Sequence, residues 1–413
     1  MSVQVLQPRR PWEGRRLVLG VTGGIAAYKS VQLARDLTRL GSRVDVVMTG
    51  AAQHFIQPLS FQAVTGREVF TDLFSGSGPA AHIRLGADAD AVVVAPATAD
   101  FLARAAQGMA DDLLTTVLLV TRAPVVLCPA MNEHMFAHPQ TRLNLLHLQE
   151  ASGYRVAGPG EGPLAFGEGE GPGRMLEPSE IVQHVGRALG RDPAWDGRRV
   201  LVTAGPTREP LDPVRFLGNR SSGRMGYALA EAAWRRGAEV VMVSGPSALP
   251  QPAGVTVMMV ETGEEMKEAV LSHLPEADVL VFAAAVSDFR PATAKGSKLK
   301  RSRSGEGIEV ELSPTPDVAR ATLELRKPGT VALGFALETE DLKENARRKL
   351  KEKGFDLIAA NSALEEGSGF DVGTNRVTIL DTEGGVEALP VLPKEEVAEK
   401  LLDRLSSMVK GGK

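Results

Sequence analysis

Residues 200–226 constrain this chain more than any other stretch. They join an apolar run, Val200-Leu-Val-Thr-Ala204, to a helical repeat of Met225, Ala228, Leu229 and Ala232 through a loop that packing alone does not explain. An apolar run of that length reads as a strand buried on both faces, and the residues after Ser221 and Ser222 recur with helical spacing. A strand feeding a helix through such a loop is the repeating unit of a doubly wound α/β fold. Gly205, Gly218 and Gly223 let backbone N–H groups approach a ligand, and the helix dipole there favours negative charge. Arg208, Arg215, Arg220 and Arg224 outnumber Glu209 and Asp212 by two. Phosphate or carboxylate is the expected guest.

The 413 residues are enough for two or three domains. A net charge of −4 argues against nucleic acid and acidic membranes as partners, because non-specific affinity for either needs a basic surface. The first 13 residues are polar and Pro-interrupted, unlike a signal peptide, and no apolar run approaches the ~20 residues of a membrane span. A cytoplasmic enzyme is expected. One cysteine, Cys128, excludes an internal disulfide framework and a cysteine-based zinc cluster. Redox chemistry therefore needs a cofactor.

Two α/β halves follow along the chain. Strands at 16–21 and 44–48 flank a helix over 25–40 that stops at Gly41, and further buried strands are expected at 91–95 and 124–128. Residues 158–174 are too glycine-rich for regular structure and too long for an ordinary connector, which suits a lid. A helix over 178–189 closes the first domain, 1–189, and 190–197 reads as a linker. The second domain, 198–413, restarts with strands at 200–204, 240–244 and 279–284. Ligands are expected at the carboxyl ends of the strands.

In the first half, Val21-Thr-Gly-Gly-Ile-Ala26 has the form of a phosphate-binding turn, but it is not G-x-G-x-x-G. The second strand ends in Met48-Thr-Gly50, where a dinucleotide site would carry an acid for the ribose. A mononucleotide such as FMN is favoured over a dinucleotide. His82, Asn132 in Pro129-Ala-Met-Asn132, and the Ala95-Pro-Ala-Thr98 loop also fall at strand ends. Singly, each has a bland explanation as a structural histidine or a helix cap.

Gly23-Gly-Ile-Ala-Ala-Tyr-Lys29, His82-Ile83, Pro129-Ala-Met-Asn132 and Gly171-Pro-Gly-Arg-Met175 are similar to the homo-oligomeric flavin-containing cysteine decarboxylases. Gly205-Pro-Thr-Arg-Glu-Pro210 and Asn219-Arg-Ser-Ser-Gly223 resemble phosphopantothenate–cysteine ligase. In this order they resemble the bacterial bifunctional phosphopantothenoylcysteine decarboxylase/ligase family of coenzyme A biosynthesis, over nearly the whole chain from about Gly14. The resemblance implies an α/β chain of two Rossmann-like doubly wound domains, a flavodoxin-like flavoprotein followed by a ligase domain. It implies that CTP activates 4′-phosphopantothenate as an acyl-cytidylate, that L-cysteine displaces CMP, and that the product is decarboxylated with FMN to 4′-phosphopantetheine. FMN is expected at Gly23, Gly24, Ile25, Ala26, Thr49, Ala97 and Thr98. His82 matches the catalytic base. Asn132 matches the residue that orients the departing carboxylate, with Met131 beside it on the substrate. In the ligase half Asn219 matches the residue that holds the acyl group, Arg215 a substrate contact, and Lys298 the lysine tied to turnover of the cytidylate. Asp288, Lys298, Thr315, Pro316, Asp317, Val318, Phe335, Lys349 and Lys353 fall where the family contacts CTP, with Mg2+ expected at Asp288. Homo-oligomers are also implied: trimers of the flavin domain and dimers of the ligase domain, closing into a dodecamer.

One departure stands out. The family lid carries Leu-Ala-Cys-Gly, whose cysteine serves as proton donor in the final reduction, whereas this chain reads Leu164-Ala-Phe-Gly167. Phe166 donates no proton, so Cys128, water or the lid carboxylate Glu168 must substitute, or the flavin half stops at the enethiol or serves only as a binding module. Phe136 replacing a tryptophan is a milder change. A nicotinamide oxidoreductase with paired Rossmann domains is disfavoured by the missing fingerprint.

Overall fold

The structure is a computed structural model and describes residues 10–74, 80–167, 169–300, 308–338, 340–362 and 372–411. These fall into two compact units that divide between Gly190 and Arg191.

The first unit is a six-stranded sheet, β1 (Arg16–Val21), β2 (Arg43–Met48), β3 (Val69–Phe70), β4 (Ala91–Ala97), β5 (Val125–Pro129) and β6 (Arg155–Val156). Its strand order is β3-β2-β1-β4-β5-β6 and every pairing is parallel. The central strands are buried on both faces, as their unbroken apolar runs require. The order reverses between β1 and β4, which opens a crevice at their carboxyl ends. The helix Ala27–Arg39 buries Leu33, Ala34 and Leu37 at helical spacing against this sheet, and truncating either leucine to alanine is expected to cost about 2–5 kcal/mol. The helix Pro178–Leu189 starts where the sequence indicates, with Pro178 in its first turn and a Glu177/Glu180 capping box.

Residues 158–174 depart from the expectation of irregular structure. They form an antiparallel hairpin of β7 (Gly160–Pro163) and β8 (Glu170–Arg174). Glycine disfavours strands in isolation, but here β8 lies so close to another segment that only glycine fits, as described below.

The second unit has the strands β9 (Arg199–Ala204), β10 (Arg208–Pro210), β11 (Phe216–Gly218), β12 (Glu239–Ser244), β13 (Thr256–Met259), β14 (Val279–Phe282), β15 (Phe289–Pro291), β16 (Leu312–Pro314), β17 (Val331–Glu338), β18 (Leu357–Ser362), β19 (Thr374–Asn375), β20 (Thr378–Asp381), β21 (Val386–Ala388) and β22 (Leu392–Pro393). Its main sheet runs β13-β12-β9-β14-β17-β18-β20-β21, parallel as far as β18 and antiparallel beyond. The helix Arg224–Arg236 seats on β9 through Gly226, where a Cβ would stand 2.6 Å from that of Ala204. The stretch 190–197, expected as a linker, is largely built into this unit. Trp195 is wholly buried and donates to Ser406 Oγ at 2.7 Å, and the Asp192 amide donates to the Arg236 carbonyl at 2.9 Å. A buried indole with a satisfied N–H is a core residue, which linker composition does not reveal.

His184, in the helix Pro178–Leu189, carries a testable consequence. Burial, reinforced by Arg187 and Arg155, lowers its pKa to about 4. The unfolded chain then binds a proton near pH 6.5 that the folded unit refuses, so stability falls as pH drops from about 6.5 to 4. The loss is up to ~3 kcal/mol. Urea unfolding of the first unit at pH 7 and pH 4.5 should show His184→Gln relieving much of the acid sensitivity; an unchanged difference between the two pH values contradicts this.

Candidate functional sites

In the first unit the loop after β1 turns into the helix Ala27–Arg39 with no side chain capping its N-terminus and no acid in its first turn. Its dipole, with no acid to offset it, suits an anion. Gly23 is obligatory, since a Cβ there would stand 2.4 Å from that of Ala51. Thr22 Oγ1 donates to the Pro96 carbonyl at 2.7 Å and accepts from the Thr98 amide at 3.2 Å, tying this turn to the loop after β4. Thr98 also caps the helix Ala99–Ala106. A cleft of about 1230 Å³ opens here, and its lining includes Gly23, Gly24, Ile25, Ala26, Thr49, Thr98, Met131, Asn132 and Met135. Ala97 is buried and is not among the lining residues.

The β7–β8 hairpin borders the same cleft with Pro163, Leu164, Ala165, Gly173 and Arg174. It seats on the Asn132 segment through the Met131 amide, which donates to the Gly173 carbonyl at 2.9 Å. A Cβ on Gly173 would stand 2.2 Å from the Met131 carbonyl oxygen. Gly173→Ala should therefore lift the hairpin and cut any chemistry at Asn132 by about 10²-fold, because an ångström of misplacement has that effect. Chemistry in the second unit should be unchanged, and equal losses in both would contradict the seating argument. Lys29 Nζ and Arg174 both bind Glu177, whose pKa is held low first by its hydrogen bond from Lys29. Neither cation appears among the site residues expected from sequence, although both lie within the quoted motifs.

Two expected residues stand apart. His82 is half-buried in the helix Ala81–Ala87 and does not line the cleft of its own unit. Cys128 is fully buried within β5, away from the cleft lining, and burial pushes its thiol far above the ordinary range. Phe166 is fully exposed at the hairpin turn, and Glu168 lies outside the described residues.

The second unit repeats the arrangement. Gly223, at φ +81°, precedes the helix Arg224–Arg236, which again has no side-chain cap and no acid in its first turn. A cleft of about 540 Å³ runs over the carboxyl ends of β9, β14, β17 and β18. Asn219, Asp288, Thr315, Pro316, Asp317, Val318, Phe335 and Lys353 line it. Asn219 Nδ2 donates to the carbonyls of Ala285 and Val286 at 3.2 and 3.1 Å, so its donors hold the loop after β14. Lys353 binds Asp317 at 3.1 Å, and Thr315 Oγ1 is buried with no protein partner. Lys349 is not a lining residue and pairs with Glu338 at 2.7 Å. Arg215 and Lys298 are also outside the lining, and Arg215 bonds Asp212 and the Leu299 carbonyl. Asn361, Asn375 and Lys394 line the cleft and were missed, because they lie far along the chain from any glycine-rich motif. Among the described residues, no three or more His, Cys, Asp or Glu gather into a metal site.

Residues 6–190 match the Flavoprotein family model, and 195–408 match the DNA/pantothenate metabolism flavoprotein C-terminal domain. The coenzyme A biosynthesis bifunctional protein CoaBC of Vibrio cholerae is 44% identical over 391 residues, covering 94% of this chain and 97% of its own length. The chain belongs to the coenzyme A biosynthesis bifunctional protein family. The family protein of Bacillus subtilis is 42% identical over 401 residues, covering 96% and 98%. A solved C-terminal domain of a CoaBC protein covers 53% of this chain and all of its own, at 40% identity and a TM-score of 0.46. The two family models meet the chain where it divides into its two units.

Proposed function

We propose that the second unit joins 4′-phosphopantothenate to L-cysteine with CTP, and that the first decarboxylates the product with FMN to 4′-phosphopantetheine. The observation that carries this reading is the pair of uncapped helix N-termini, each beside a cleft lined by its half's motif residues, in one chain of a bifunctional family. A protein of this kind is expected in the cytoplasm.

The first cleft fits FMN. Gly24 leaves room for a phosphate at the helix N-terminus, Thr98 supplies a hydroxyl, and Ile25, Phe55 and Met135 give apolar walls for a flat ring. Bound FMN supplies reversible oxidation of the substrate's thiol-bearing carbon, which lets the neighbouring carboxylate leave. Asn132, fixed by its own bond to the His134 amide at 2.9 Å, orients that carboxylate, and the hairpin keeps water out. His82 accepts the proton, but it lies outside the cleft of its own unit, so a second copy of the chain delivers it. That need supports an oligomer of the first unit; trimers, closing with dimers of the second unit into a dodecamer, are what the resemblance implies. Cys128 is too deeply buried to deliver the last proton, which favours water or Glu168 in place of the cysteine that Phe166 replaces.

In the ligase cleft, the CTP phosphates lie against the N-terminus of helix Arg224–Arg236 and Lys353. Lys298, which lies outside the cleft lining, is assigned to turnover of the cytidylate by the family motif alone. Mg2+ fits as an ion held mainly by phosphate oxygens, with Asp288 as the protein's exposed carboxylate. Supplying each half-reaction separately tests the assignment. CTP and 4′-phosphopantothenate should release pyrophosphate, and 4′-phosphopantothenoylcysteine should release CO2 from yellow protein whose light scattering reports an oligomer. Colourless protein that fails to take up FMN contradicts the first assignment.

A further inference from the structure

Arg326 is half-buried beside the ligase cleft without being one of its lining residues. It follows the short helix Val318–Ala321 and reaches the end of the helix Leu342–Glu352. Carbonyls at a helix C-terminus have no partner within the helix, and the dipole gathers negative charge there. Arg326 serves both helix ends at once. Its Nη1 donates to the Gly354 carbonyl, and its Nη2 donates to the carbonyls of Lys353 at 3.0 Å and Ala319 at 3.3 Å. Thr322 is fully buried, and its Oγ1 accepts from Arg326 Nε at 3.1 Å and Nη2 at 3.0 Å while donating to the Ala319 carbonyl at 2.6 Å. The guanidinium carbon lies 5.8 Å from the centre of the Phe282 ring, which in turn stands 5.6 Å from that of Phe355. Gly354, at φ +55°, permits the approach, for a Cβ there would stand 2.5 Å from Leu323 Cδ2.

The segments joined in this way carry the expected nucleotide contacts. Asp317, Val318 and Ala319 line the cleft from one segment, Lys353 and Phe355 from the other, and Phe282 lines it as well. The side chains of Lys353 and Asp317 also pair directly at 3.1 Å, but both are about a third exposed, and an ion pair open to water holds weakly. Arg326 is the firmer tie. Burial draws its pKa down, with the more distant Asp356 charge opposing, yet an arginine stays protonated and keeps all its donors.

We propose that Arg326 is a positioning residue for the ligase reaction, fixing the backbone of Lys353 against that of residues 317–319 so that both segments keep their places at the nucleotide. The inference rests on the reading of Lys353 as a CTP contact given above. Arginine suits the task because one planar fork serves four oxygens, those of Ala319, Thr322, Lys353 and Gly354, which a lysine ammonium on its flexible stem does not.

The test uses the full-length, FMN-loaded protein with Arg326→Lys, Thr322→Val, Lys353→Met and the double variant of Arg326→Lys with Lys353→Met. Arg326→Lys keeps the charge and loses the fork, whereas Thr322→Val keeps the arginine and removes the acceptor of two of its bonds. Pyrophosphate release is followed while CTP and 4′-phosphopantothenate are each varied. Arg326→Lys should raise KM for CTP by about 10–10²-fold and leave KM for 4′-phosphopantothenate little changed. Thr322→Val should shift KM for CTP in the same direction by less. Because Arg326 acts in part through Lys353, the effects of Arg326→Lys and Lys353→Met on KM for CTP should fall well short of multiplying in the double variant. Decarboxylation of supplied 4′-phosphopantothenoylcysteine should be normal in all four. A fall in kcat at unchanged KM for CTP in Arg326→Lys is the mark of lost folded protein, and it overturns the proposal. Fully multiplicative effects in the double variant overturn it too. If Lys353→Met leaves KM for CTP unchanged, the reading of Lys353 fails and the proposal falls with it. A raised KM for CTP in Lys353→Met beside a normal Arg326→Lys rejects positioning alone.

Discussion

Asn219→Asp should abolish acyl-cytidylate formation while leaving decarboxylation intact. Asn219 Nδ2 donates to two consecutive carbonyls, of Ala285 and Val286, and so fixes the loop that carries Asp288 into the ligase cleft. A carboxylate at 219 would replace both donors with negative charge facing two carbonyl oxygens, and would add a charge where an anionic substrate must bind. Removing a single well-placed donor from a preorganised site lowers turnover by about 10²–10³-fold, and here repulsion is added, so a loss of at least ~10³-fold is expected. Pyrophosphate release from CTP and 4′-phosphopantothenate, without cysteine, measures it. Lys298→Gln should differ, forming the cytidylate and retaining it. Equal accumulation of cytidylate in the two variants would contradict this division of labour.

Gly23→Val should have an effect as large on the other half. A Cβ at 23 meets the Ala51 Cβ at 2.4 Å and its carbonyl carbon at 2.9 Å, so the turn must move away from the loop after β2. That movement displaces the backbone N–H groups at the helix N-terminus, and a phosphate held by backbone geometry has no compensating side chain. The variant should purify colourless and fail to decarboxylate, while its ligase activity stays normal because the second unit has its own core. The flavin absorbance per chain and the two half-reactions report this directly. A yellow, active Gly23→Val protein would show that the turn does not hold the cofactor.

The parts of the fold that were legible in the sequence are those determined by local pattern. The strands β1, β4, β5 and β9 are unbroken apolar runs, and the helix Pro178–Leu189 announces itself by Pro178 and its acidic cap. The hairpin β7–β8 was not legible, because its reason for existing is the close approach of Gly173 to Met131, more than 40 residues away. Likewise, the composition around Trp195 reads as a linker, and only its partner Ser406 shows that it belongs to a core. The clefts follow the same division. Motif residues such as Gly23, Asn132, Asn219 and Asp288 gather where strand ends predict, because glycine turns and helix starts are local devices. Asn361, Asn375 and Lys394 reach the ligase cleft only through the pairing of late strands, which local pattern does not encode. His82, Arg215, Lys298 and Lys349 resemble site residues by motif, yet lie outside the lining of one chain's clefts.

The central claim is that one chain carries out both reactions in sequence. Purified protein should be incubated with 4′-phosphopantothenate, CTP, Mg2+ and L-cysteine, and the products identified by mass over time. The account predicts 4′-phosphopantothenoylcysteine appearing first and giving way to 4′-phosphopantetheine, with one CMP and one CO2 formed for each. Persistence of 4′-phosphopantothenoylcysteine beside FMN-loaded protein, or its conversion only as far as the enethiol, would contradict it.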